Sequence, residues 1–303
     1  MDWRASAAGL IVGALIGITG MGGGSVMAPF LIVGLGVPPL QAVASGLAYS
    51  AVTTAVGGWA HLRLGTTQLR TVFRLALGSV PAAIVTVLLF THLLSADGVD
   101  QVVKRAVGLV LMILAIALLV RGRLGERKPR LVRRRLPDWA LTLGGGAVGV
   151  TTGLTSIGSG SLTTAFLSAG TDEEGQKIVG TVVVHTMILT FAAGAAHLAM
   201  GQVDPGLTLS LLAGSIPGVI LGSRVTLKVP EPLLREALAS ILLILSILSY
   251  APKPEYRAPA GPVREALAQP APAILAPAIV APAAAIDAKV EEDEPRPEVP
   301  PPS

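Results

Sequence analysis

Two short runs of small and hydroxylated residues interrupt sequence that is otherwise hydrocarbon. One is Thr19-Gly20-Met21-Gly22-Gly23-Gly24-Ser25; the other, 136 positions later, is Thr155-Ser156-Ile157-Gly158-Ser159-Gly160-Ser161. Three or four small residues in succession break a helix. The piece that resumes after the break starts with unpaired N–H groups and a partial positive charge, and such an end suits an anion. The candidate ligands are therefore Thr19, Gly22, Gly23, Gly24 and Ser25 in the first run, with Thr155, Gly158, Ser159, Gly160 and Ser161 in the second.

A second set comes from apolar stretches between the runs. His185 is the ionisable group nearest the middle of a predicted span, and Tyr49 stands 136 positions before it. Ser45 and Thr181 are paired by the same offset and lie one helical turn earlier on the same faces. Ser45, Tyr49, Thr181 and His185 are expected as direct ligands or as their supports. An intramembrane His is a functional candidate that can take up a proton near neutral pH; a neutral, hydrogen-bonded His is the plainer alternative.

No Asp or Glu falls inside a predicted span apart from Glu236, in the first turn of the last one. Cation carriers normally offer buried carboxylates to pair with the charge, so metal ions, amines and a carboxylate proton relay are disfavoured. The chain has no cysteine, which removes disulfides and thiolate metal sites. Neither a metal nor a cofactor is expected.

These residues need positioning elements, and composition says which kind. The 303 residues are 51% hydrophobic and 14% charged, with a mean hydropathy of +0.68, whereas a soluble domain carries about 25% charged residues. Several stretches, such as 75–96, 106–120 and 178–203, lack Asp, Glu, Lys and Arg over lengths near the roughly 20 residues that cross a bilayer as a helix. The fold class is an all-α integral membrane protein. The basic cluster at 121–135 could suggest nucleic acid, but between apolar spans it reads as a cytoplasmic loop, and no nucleic-acid partner is expected.

The 136-residue offset holds from Gly13 to Pro81 without a gap. Gly13 and Gly17 meet Gly149 and Gly153, Ala60-His61-Leu62 meets Ala196-His197-Leu198, and Gly78-Ser79-Val80-Pro81 meets Gly214-Ser215-Ile216-Pro217. Each half gives the same five apolar elements: 5–18, 25–36, 41–62, 72–94 and 102–120, then 138–154, 160–170, 178–200, 206–226 and 233–250. The short pieces around each break form two broken-helix hairpins, so there are eight to ten apolar elements in all. An odd number per half makes the repeats inverted. The domains expected are a first repeat over 1–120, a basic cytoplasmic loop at 121–137, an inverted second repeat over 138–250, and a Pro/Ala-rich disordered tail over 251–303. Lys and Arg place the connections around Arg63–Arg74, 121–135, 171–177 and 224–235 inside, and those at 34–40, 95–101 and 201–206 outside.

Plainer roles go to other residues. Gly13, Gly17, Gly149 and Gly153 fit close helix packing. His61 and His197 fall at helix ends and fit interfacial anchors or C-terminal caps. Pro81 and Pro217 lie inside spans, where they can kink the helix.

The runs Gly17–Ser25, with Pro29 after it, and Gly153–Ser161, together with the Ser45 region and the Gly65/Gly201 turns, resemble the TauE/SafE sulfite-exporter family of membrane permeases over about residues 5–250. The second run departs from the commoner pattern at Ser159, where a glycine is usual, and Ala165 stands where the first half has Pro29. The resemblance implies carriage of sulfite, a sulfonate or a related sulfur compound across the inner membrane. The expected function is a secondary transporter of a small anion, working by alternating access around a midplane site. A passive anion channel is the alternative. An intramembrane serine hydrolase using Ser25 or Ser161 with His185 or His197 is disfavoured, because catalysis needs one site and these serines are duplicated. The expected partners are the anion and the lipid bilayer; the sequence leaves the oligomeric state open.

Overall fold

A computed structural model describes residues 3–19, 24–93, 96–123, 136–171, 173, 175–226 and 231–250. Among them there are ten helices and no strand: α1 (Trp3–Thr19), α2 (Gly24–Gly34), α3 (Pro39–Arg63), α4 (Leu69–Leu93), α5 (Ala96–Arg123), α6 (Asp138–Thr155), α7 (Ser161–Gly170), α8 (Gly175–Ala199), α9 (Pro205–Thr226) and α10 (Glu231–Ser249). Hydrocarbon leaves the chain little choice, because only helices satisfy their own backbone groups there. α4, α5, α8 and α9 are long and apolar enough to cross a membrane. α2 and α7, of 11 and 10 residues, reach only about 16 Å at 1.5 Å per residue and must end inside the protein. The tail after Tyr250 and most of the 121–135 cluster lie outside the described residues.

Local signals set the ends. Pro39 sits in the first turn of α3, where a missing N–H costs nothing. α3 and α8 each stop at a glycine with positive φ, Gly65 at 66° and Gly201 at 67°. There the Thr66 and Gln202 N–H groups reach back to the carbonyls of His61 and His197, closing the helix as a Schellman turn.

The described helices belong to one compact unit, and the two halves interlock within it. Helix α1 lies along α9, and α6 along α4. Gly9 packs on Leu211 and Gly13 on Ser215; one repeat away, Gly145 packs on Leu75 and Gly149 on Ser79. Position numbers rise together on both partners, so each pair is parallel. The two central helices behave differently. Gly58 of α3 faces Met187 of α8, while Gly194 of α8 faces Leu47 and Ala48 of α3, so these repeat mates run antiparallel. Between them the hydroxyls of Thr54 and Thr190, themselves 136 apart, meet at 3.2 Å. A two-fold axis that exchanges antiparallel mates lies across the helices, so the halves are inverted.

The connections gather at two ends, as the Lys/Arg pattern requires. At one end Arg70 and Arg74 both reach Asp138, at 3.0 and 3.1 Å. At the other, Asp100 accepts from the Leu40 N–H and Asp204 accepts from the Gln41 amide. Apolar side chains cover the outside. The repeat mates Trp3 and Trp139 are 74% and 67% exposed at the first turns of α1 and α6, the place of an interfacial aromatic anchor.

Candidate functional site

The second break can be followed atom by atom. Helix α6 ends at Thr155, and Ser156 turns the chain with φ 61° and ψ 0°. It is the one non-glycine with positive φ among the described residues. The Thr155 hydroxyl donates back to the Thr151 carbonyl at 2.6 Å and accepts the Ile157 N–H at 3.1 Å, which holds the turn. Gly158 follows at φ 103°, a conformation that needs glycine. Gly160 then precedes α7 without any side-chain cap on the helix end. The Ser159 carbonyl accepts from Thr163 at 2.6 Å, and the Ser161 hydroxyl has no partner in the protein. At the first break, Thr19 closes α1 while Gly24 and Ser25 open α2; Gly22 and Gly23 lie outside the described residues.

The second break and the early turns of α2 come to one point on α3. A Cβ placed on Gly46 would meet Ala28, in the second turn of α2, and the Ser156 hydroxyl, each at 3.5 Å. Ile157 belongs to the same buried cluster as Val26, Met27 and Ala28. Tyr49 and Ser50 stand three and four residues beyond Gly46, on the same face of α3. The hydroxyls of Ser156, Tyr49 and Ser50 are all buried without a hydrogen-bond partner in the protein. Buried polar groups are nearly always paired, so these three stand out as candidate ligands.

The repeat reproduces part of this on α8. His185 and Thr186, the mates of Tyr49 and Ser50, keep Nδ1 and Oγ1 unpartnered. The other ring nitrogen of His185 pairs with the Ser79 hydroxyl at 2.8 Å. Ser215, the mate of Ser79, stands near the Tyr49 hydroxyl but outside hydrogen-bonding geometry.

Tyr49 and His185 do not share one shell. Each lies five residues before the Thr54/Thr190 crossing, on antiparallel helices, so they are about 15 Å apart along the axis. Ser45 and Thr181 are farther out, and each has a protein partner. Ser45 accepts the Asp204 N–H at 3.2 Å and Thr181 accepts the Gln68 N–H at 3.0 Å. They tie the start of the next long helix to α3 or α8, at opposite ends of the protein. His61 and His197 act as caps: their Nδ1 atoms pair with Thr66 and Gln202, five residues on. His197 also reaches the Gly153 carbonyl with Nε2 at 3.1 Å, so it braces the helix that leads into the second break.

Ser50, Ser156 and Thr186 were not among the sequence candidates. The offset of 136 could have found Ser50 and Thr186, since both are hydroxylated mates beside a chosen pair. Nothing in the sequence distinguishes Ser156 from its neighbours.

The buried polar side chains among the described residues are Ser, Thr, Tyr and His, with no Lys, Arg, Asp or Glu. No cluster of three potential metal ligands occurs among the described residues either. A cleft of about 180 Å³ opens beside Thr181, lined by Gln68, Thr71, Thr171, Glu173 and Lys177. It sits at the arginine-rich end rather than at the second break, whose residues Thr155–Ser159 are buried. The arrangement can hold a small anion by hydroxyls and helix ends.

The family model for sulfite exporter TauE/SafE matches residues 5–249. This chain belongs to that family. Similar proteins include two from Bacillus subtilis (strain 168). The probable membrane transporter protein YjnA is 40% identical over 243 residues, covering 78% of this chain and 94% of YjnA. The probable membrane transporter protein YdhB is 25% identical over 75% of this chain and 91% of its own length. The probable inner membrane transporter protein TsaS of Comamonas testosteroni is 31% identical over 49% of this chain and 72% of TsaS. No solved structure matches. This TauE/SafE-family protein is a multi-pass transporter of the inner membrane and not an enzyme.

Proposed function

We propose that this transporter is a secondary carrier of a small anion, sulfite or an organosulfonate, and that the solute sits between the two helix breaks. The observation that carries this reading is the convergence on Gly46 of α2 and the Ser156 turn, beside buried hydroxyls that have no protein partner. Helix N-termini supply positive potential, and in carriers built from inverted repeats such ends meet anionic groups near the midplane. The family's description supplies the sulfur oxyanion. The halves would rock about the Thr54/Thr190 crossing to expose the site to each side in turn.

Purified protein in proteoliposomes, offered sulfite, thiosulfate, sulfate and short sulfonates in parallel, tests it. Saturable uptake with counterflow of at least one of these is expected. Uptake of an amine or metal cation with none of the anions would overturn the anion reading. Flux without saturation or counterflow would make the protein a passive channel.

A further inference from the structure

We infer that the site is built for one negative charge, taking monoanions such as hydrogensulfite or an alkanesulfonate and rejecting dianions such as sulfate. This rests on the anion reading above and adds the charge of the solute to it. No Lys, Arg, Asp or Glu occurs anywhere from residue 5 to 62, from 139 to 171 or from 178 to 203, so neither break carries a formal charge, and no Lys or Arg is buried among the described residues. What remains is the potential of helix ends. Each end is equivalent to about half an elementary charge, so even two would offset only about one. The cost of taking an ion out of water grows with the square of its charge, so a dianion loses about four times as much hydration energy as a monoanion of the same size. The second charge would enter with nothing to meet it.

The hydroxyls point the same way. Ser156 is 1% exposed, unpartnered and in the left-handed conformation. Its repeat mate is Gly20, a residue type that takes this conformation without strain. Serine there adds one thing that glycine lacks, an O–H donor. With Tyr49 and Ser50 it gives three neutral donors, a shell suited to the oxygens of a singly charged group.

Methanesulfonate and sulfate make a near-isosteric test pair, a methyl group replacing one charged oxygen; ethanesulfonate and thiosulfate make a second pair of different size. Each is titrated against uptake of whichever labelled anion the wild-type full chain carries. The two sulfonates are expected to inhibit at concentrations at least about 100-fold below those of their dianionic partners, a ratio worth two tenfold steps in affinity. Sulfate or thiosulfate inhibiting as well as its partner overturns the inference, as does failure of both sulfonates while the carried anion saturates normally. In either case the anion reading survives. Absence of any anion uptake sinks that reading first, and this one with it.

Discussion

Ser156 is strained and buried, and its hydroxyl has no partner in the protein. Left-handed backbone costs a non-glycine residue about 1–2 kcal/mol, and an unmet buried hydroxyl adds about 1–3 kcal/mol. A purely structural serine would gain from becoming glycine. We expect Ser156→Gly to raise the thermal midpoint, by about 2–4 °C for each kcal/mol recovered, while raising the KM for the carried anion about tenfold, the loss of one hydrogen bond to a charged group. An unchanged KM would remove Ser156 from the site. Tyr49→Phe should behave in the same sense, with stability held or slightly improved and uptake weakened. Ser79→Ala runs the other way: it strips the His185 ring nitrogen of its 2.8 Å partner and should lower stability by about 1–3 kcal/mol, read from the denaturation midpoint. At this scale the sequence was partly legible. Tyr49 and His185 stood out because bulky polar residues are conspicuous among Ala, Val and Leu. Ser45 and Thr181 were equally conspicuous, yet their hydroxyls go to helix starts brought near by the tertiary fold. A left-handed serine has no mark in the sequence at all.

The elements were more legible than the side chains. The glycine runs fix where α6 stops and α7 begins, because no other residues allow the turn at Gly158. Helix α5 begins at Ala96, six residues before the apolar stretch does. Asp100 lies in its second turn and accepts the Leu40 N–H. The small-residue stripes matter for a steric reason: a Cβ on Gly149 or Gly13 would run into the backbone of Ser79 or Ser215. Gly149→Ala and Gly13→Ala should each separate a pair of parallel helices and sharply lower the yield of folded protein in detergent. Gly175→Ala, at a position with open space, is the control and should leave yield unchanged. Equal yields for all three variants would mean that the close approach carries little of the stability.

For the whole molecule, the fixed offset was enough to predict inverted halves, and the antiparallel mates α3 and α8 bear this out. The sequence did not reveal that the halves would interlock, with α1 on α9 and α6 on α4. Pairings between distant elements depend on three-dimensional complementarity, which leaves no local pattern. A chain without cysteine gives a silent background for testing the inversion. Arg63 and Ala199 are repeat mates, both exposed, at the last turns of α3 and α8. Single Arg63→Cys and Ala199→Cys variants should react with a membrane-impermeant maleimide from opposite sides of the membrane, Arg63→Cys from the cytoplasmic side. Labelling of both from one side would contradict the inverted architecture.

The central claim is that the solute occupies the space between the two breaks, and a single cysteine can ask this directly. In Ser156→Cys, reaction with a small, charged methanethiosulfonate reagent should be slowed by the carried anion, with half-protection near that anion's KM for uptake in the same variant. Labelling indifferent to the anion, or absent under every transport condition, would mean that the solute passes elsewhere.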